Sequence, residues 1–126
     1  MTITREQVLD LVLPTLPSVP PLLDEDAGEL PYIDAGGVCA HVTDLFLAGR
    51  GDELTGFFAV VERLHVEGDP YVRELATIGY LESLQDVAAL GDPEVLVPHL
   101  GPESRRWWRG LNAFWSGTSP TVVPLD

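Results

Sequence analysis

Between Asp69 and Leu90 the stretch DPYVRELATIGYLESLQDVAAL carries apolar side chains almost all the way round a helical wheel. Tyr71, Leu75 and Ile78 share one side, Val72, Ala76 and Gly79 lie beside them, and Tyr80, Leu84 and Val87 continue round the far side. A helix that is apolar on most of its circumference packs between other helices. Asp69 suits an N-cap, Pro70 suits the first helical position, and Gly91 tolerates a left-handed conformation just beyond the end. The pattern therefore predicts a central helix over 69–90. Before it, Leu54, Phe57, Phe58, Val61, Leu64 and His65 form one buried face of a helix opened by Asp52 and ended by Gly68. Ala35, Val38, Cys39, Val42, Leu45 and Phe46 mark another from about Pro31 to Ala48, weakened at Gly36-Gly37 by the backbone entropy of glycine. So short a connection between helices predicts antiparallel neighbours, three in succession over 31–90.

The flanks are read in the same way. Thr4 and Gln7 have the spacing of a capping box, and Val8, Leu9, Leu11 and Val12 follow as a short helix that Pro14 stops. The segment PTLPSVPPLLDEDAGELP is a proline-rich connector with an acidic patch at Asp24, Glu25 and Asp26, and its Leu16 is placed to lie against the core. Asp92-Pro93 starts a short helix limited by Pro98, and Gly101-Pro102 starts the last one. In that last helix Trp107, Trp108, Leu111, Phe114 and Trp115 fall in one arc, expected to close the core. Arg105, Arg106, Arg109 and Asn112 occupy the opposite arc as a basic face. Period-two alternation is almost absent, so no substantial sheet is expected. The predicted fold is all-α, a compact helical bundle or short α-solenoid-like array of about six helices. It forms one domain: an N-terminal helix and acidic connector over 1–30, a helical core over 31–117, and an irregular tail over 118–126.

Charge and cysteine usage narrow the function classes. The chain of 126 residues has 20 acidic and 7 basic residues, a net charge of -13, and all its basic residues are arginine. Such a balance repels phosphate and anionic lipid, so neither a nucleic acid nor a membrane is an expected partner, whereas a basic protein is. A single cysteine, Cys39, and the lack of a basic, apolar leader suit a cytoplasmic setting.

Two stretches together resemble a family of small bacterial proteins of unknown function, from roughly Pro31 to Gly117. One is an E-x-A-x-x-G-x-L-E-x-x-Q helix, matched by Glu74, Ala76, Gly79, Leu81, Glu82 and Gln85. The other is a G-P-x-S-x-x-W-W-x-x-L-x-x-F-W helix, matched by Gly101, Pro102, Ser104, Trp107, Trp108, Leu111, Phe114 and Trp115. The resemblance implies no activity. In size and style such proteins are similar to immunity proteins that neutralise bacterial toxins, which is analogy.

Candidate chemistry is sparse. Glu74, Glu82 and Gln85 share an arc of the central helix, and paired carboxylates there could serve as acid and base if burial raised one pKa. The plainer role for Glu82 and Gln85 is a hydrogen bond to a neighbouring helix, with Arg105, Arg106 and Arg109 as available partners. His41 shares a face with Asp34 and Asp44, a group too thin to predict a metal site. His65 is expected to be a satisfied core histidine. Ser83, Ser104 and Ser116 have no histidine nearby in sequence, and no nucleophile elbow or phosphate loop exists. No cofactor is expected. The sequence therefore reads as a non-enzymatic, acidic protein-binding protein of the immunity or inhibitor type. Asp24, Glu25, Asp26 and Asp34 would make the contacts, and the arginine face would anchor an acidic partner or bridge to the acidic connector. The alternative is a small-molecule or enzymatic domain with a pocket around Glu74, Glu82 and Gln85; an oligomerising scaffold is a third option.

Overall fold

The computed structural model describes residues 2–16, 29–86 and 90–126. Six α-helical segments carry the fold: α1 (Val8–Val12), α2 (Pro31–Leu47), α3 (Leu54–Glu67), α4 (Pro70–Glu74), α5 (Glu82–Gln85) and α6 (Pro102–Trp115). Between α4 and α5 the chain stays helical through a π segment, Leu75–Leu81, so that 70–85 is one continuous rod. Short 3-10 turns flank α1, lead into α3 and fill Pro93–His99. The fold is all-α: among the described residues the sole β feature is an isolated bridge between Ile3 and Gly68. No described helix is long and apolar enough to cross a membrane.

The rod begins where the local signals put it. Asp69 is extended and its carboxylate accepts from the Val72 N–H at 2.8 Å, with Pro70 at the first position. Its far end is shorter than the apolar pattern suggested: regular bonding stops at Gln85 with Asp86 as C-cap, and 87–89 lie outside the described residues. Gly91 has the expected positive φ, 71°.

α2, α3 and α6 all pack on the rod, whose Val72, Leu75, Ala76, Tyr80, Leu81 and Leu84 are buried. Apolar side chains round most of the circumference are thus covered from several directions, as the wheel required. The neighbour order differs from the expected succession, since α2 lies mainly along the rod and only lightly against α3. Gly79 accounts for that closeness. A Cβ there would meet the Ala35 Cβ of α2 at 3.4 Å and the Leu75 Cδ1 at 2.7 Å.

The π segment bonds N–H(i) to C=O(i−5), as Glu82 N–H to Thr77 C=O shows. Such a ladder leaves carbonyls poorly used, and nearby side chains take them up. The Cys39 thiol donates to the Tyr80 carbonyl at 3.3 Å, and the Ser83 hydroxyl donates to the Gly79 carbonyl. Cys39 is fully buried, and that burial pushes its thiol far above the ordinary range.

Two tertiary contacts fix the ends of the chain. Ile3 inserts at the α3–rod hinge: its N–H donates to the Glu67 carbonyl at 2.8 Å, and its carbonyl accepts from Asp69 N–H at 2.9 Å. Gly68 permits this tight hinge, because a Cβ there would lie 2.4 Å from the Leu64 carbonyl oxygen and 2.6 Å from Val72 Cγ1. At the other end the tail runs back over α6. Leu125 N–H donates to the Arg106 carbonyl at 2.9 Å, and a Cβ on Gly110 would lie 1.8 Å from the Val123 carbonyl oxygen. The proline-rich connector with Asp24, Glu25 and Asp26 lies outside the described residues.

Candidate functional site

A cleft of about 820 Å³ opens at the N-terminal half of the rod. Gly68, Asp69 and Pro70 form one end, Arg73, Glu74, Thr77 and Ile78 form the floor, and Trp107 of α6 with Val122 of the tail form a wall. Of the residues singled out from sequence, Glu74 lines this cleft and Glu82 and Gln85 do not. The proposed trio is therefore not gathered round one pocket. The reason is helical phase: the π segment lies between Glu74 and the other two and widens the turn that would have aligned them.

Each of the two has another environment. The Gln85 amide donates to the Asn112 Oδ1 at 3.2 Å and approaches the Trp108 carbonyl at 3.5 Å, tying the rod to α6. Glu94 joins the same junction, accepting from the Trp108 indole N–H and from Asn112. Glu82 is half-buried, and desolvation, with the Asp86 charge added, raises its pKa.

Below the cleft floor lies a polar knot. Thr77 Oγ1 is 3.0 Å from His65 Nε2, and His65 Nδ1 is 3.1 Å from both the Val61 carbonyl and Ser104 Oγ. Ser104 Oγ donates to Glu62 Oε1 at 2.9 Å. A carbonyl can only accept, so Nδ1 carries the ring proton and Nε2 accepts the Thr77 hydroxyl proton. The direction then runs from Thr77 through His65 and Ser104 to Glu62, with every proton taken. Glu62 also receives the Glu103 and Ser104 N–H groups at 3.0 and 2.8 Å, capping α6 from another helix. Gly101 makes room for this cap: a Cβ would sit 2.5 Å from the Glu62 carboxyl carbon.

Burial drives the His65 pKa down to about 4, outweighing the upward pull of the Val61 carbonyl and of the Glu62 and Glu103 charges. The ring is neutral near pH 7 and its lone pair is engaged by Thr77, so the knot fastens α3, the rod and α6 together. His65 is the satisfied core histidine read from its position. Ser104, with no histidine near it in sequence, meets one through the fold. The knot was not foreseen; its one sequence signal is a set of polar residues, His65, Thr77 and Ser104, at positions that helical periodicity turns inward.

The other candidates are dispersed. Asp34, expected to be an exposed contact residue, is buried and shares a void of about 40 Å³ with Leu75 and Tyr80. The helix turns it inward one position before Ala35, and its charge helps burial raise the Tyr80 pKa. Arg105 donates to the Val97 and Pro98 carbonyls, and Arg106 pairs with Glu103 and Asp126 at 3.0 and 2.9 Å. Arg109 is exposed and pairs with no described residue. The aromatic arc of α6 splits: Trp108 and Leu111 are fully buried, Trp107 and Phe114 are half-buried, and Trp115 is 63% exposed because it lies at the last position of the helix. Among the described residues no group of three or more His, Cys, Asp or Glu could hold a metal ion.

Comparison with curated proteins and with solved structures finds no match. Residues 9–116 match a family model described as a domain of unknown function (DUF7674), and with most of its length inside that match the chain belongs to this family.

Proposed function

We propose that the protein is a non-enzymatic acidic binding protein whose partner is basic, of the kind that neutralises a toxin or inhibits an enzyme by covering it. The observation that carries this reading is where the charges go. Of the seven arginines, Arg5, Arg50, Arg63, Arg73, Arg105 and Arg106 are turned onto the chain's own carbonyls or carboxylates. Asp10, Asp44, Asp52, Glu74, Asp86 and Asp92 face solvent. The outward field is that of an anion with net charge -13, which accelerates encounter with a basic surface and loses strength as salt screens it. Asp34 drops out of the contact set because it is buried, and the exposed carboxylates of α2 and its neighbours take its place. Cytoplasmic residence goes with this reading, since the lone thiol is sealed in the core.

Affinity capture from the native host, with ionic strength varied, tests the proposal. A basic protein retained at low salt and released as salt rises is the expected result. Failure to retain any protein at low salt would overturn it. A second reading, a small-molecule site, is favoured by the volume of the cleft; of the residues first considered for it, Glu74 alone lines the wall. A metabolite screen by thermal shift that yields no stabilising compound removes that alternative.

A further inference from the structure

We infer that the cleft beside Trp107 is the receptor for an arginine side chain presented by the basic partner. This rests on the acidic-binding reading and gives it a site.

The lining has the two parts that such a side chain needs. Ile78, Val122 and the half-buried Trp107 give an apolar wall for the methylene stem and an indole face for a planar cation. Glu74 gives an exposed carboxylate that pairs with no described residue, and a carboxylate can take a guanidinium through two parallel hydrogen bonds. The other two charged residues of the lining are already committed. Arg73 Nε donates to the Gly68 carbonyl at 2.8 Å and its Nη2 to the Val66 carbonyl at 3.3 Å, so the guanidinium closes the end of α3. Asp69 accepts from Val72 N–H. Glu74 is thus the charge that remains to be matched, in a protein whose whole field draws cations inward.

Anionic ligands fit poorly. The N-terminus of α4 is already satisfied by Asp69, and Glu74 would repel a second carboxylate or a phosphate. Arginine suits the cleft better than lysine because its flat, weakly hydrated head can both stack on indole and bond bidentately.

The test is a titration of isotopically labelled full-length protein with a blocked Gly-Arg-Gly tripeptide, its citrulline isostere and its lysine counterpart. The arginine peptide is expected to shift the Trp107 indole N–H and the Glu74, Thr77 and Ile78 amides, and the citrulline peptide to shift none. Glu74→Gln should weaken the arginine peptide about tenfold, the scale of one lost charge-assisted hydrogen bond, and Trp107→Leu should weaken it too. Thermal unfolding of each variant verifies the fold. Equal responses to arginine and citrulline, no response to either, or shifts spread over Asp44, Asp52 and Asp86 and unaltered by Glu74→Gln would each overturn the inference. A lysine peptide that binds more tightly would overturn the arginine assignment. The captured basic protein separates the two readings. If it binds wild type and Glu74→Gln alike, the cleft is not the receptor and the acidic-binding reading stands. If the arginine peptide selects the cleft while no basic protein is captured, the cleft stands and that reading falls.

Discussion

Trp107 and Trp108 are neighbours in α6 and belong to opposite regions of the molecule. Trp108 is 1% exposed, its indole N–H is held by Glu94, and its surroundings are those of a sealed core. Trp107 stands half-buried on the wall of the cleft beside Glu74 and Thr77. The sealed region satisfies its polar groups internally: Glu62, Ser104, His65 and Thr77 form a closed chain of donors and acceptors. The open region leaves a carboxylate and an aromatic face without a mate. A buried polar group without a partner costs about 1–3 kcal/mol, whereas an exposed carboxylate is solvated by water and costs nothing comparable. Unmatched chemistry therefore collects where solvent reaches it.

Substitution can sharpen the contrast, and the strongest effect belongs to the sealed side. Trp108→Ala should lose about 3–5 kcal/mol of stability, read from denaturant unfolding, because it empties a large fully buried site. Trp107→Leu, one position away, should lose well under half as much; equal losses would abolish the distinction.

Acid comes next. His65 is held neutral to about pH 4, while in the unfolded chain it protonates near its ordinary 6.5. Between those values the unfolded state binds the extra proton, so stability falls as pH drops from 6.5 towards 4 and this contribution levels off below that. The sum is about 3 kcal/mol at most. Unfolding free energies of wild type and His65→Gln, measured across that window, should differ in slope with the wild type steeper; parallel curves would show that the ring is not held neutral.

A smaller effect is expected at Gly110→Ala. The new methyl cannot coexist with the Val123 carbonyl, so the tail must lift. The Leu125 amide should lose hydrogen-exchange protection, with a global cost of about 1 kcal/mol or less because the tail contributes little buried surface. Unchanged protection would mean that the tail is not seated against α6. Least of all, Glu74→Gln should alter stability by within about 0.5 kcal/mol, as for other exposed side chains. A larger loss by thermal unfolding would reveal an internal partner for Glu74 and blur the two regions into one.

Helix starts were legible because their signals are local. Asp69-Pro70, Asp92-Pro93 and Gly101-Pro102 begin elements where the residues said they would, and the apolar stripes of α2 and α3 point inward as read. What escaped was set by partners distant in sequence. Ile3 completes a hinge 65 positions away at Gly68, and Glu62 caps a helix 41 positions on at Glu103. No periodicity within one segment encodes such meetings. The cleft was half legible: Glu74 was named for its carboxylate, but grouping it with Glu82 and Gln85 assumed regular α-helical phase. Asp34 failed for a similar reason, since a charge at the edge of an apolar stripe was taken to face water.

The widened turn also acts as a register spacer. Excising one residue between Leu75 and Leu81 would let ordinary i→i−4 bonding run without interruption and swing everything after it by about 100°. Gln85 would then lose Asn112, and Leu84 would turn away from the interior. The chain can accept changes of side chain in this stretch more readily than changes of length.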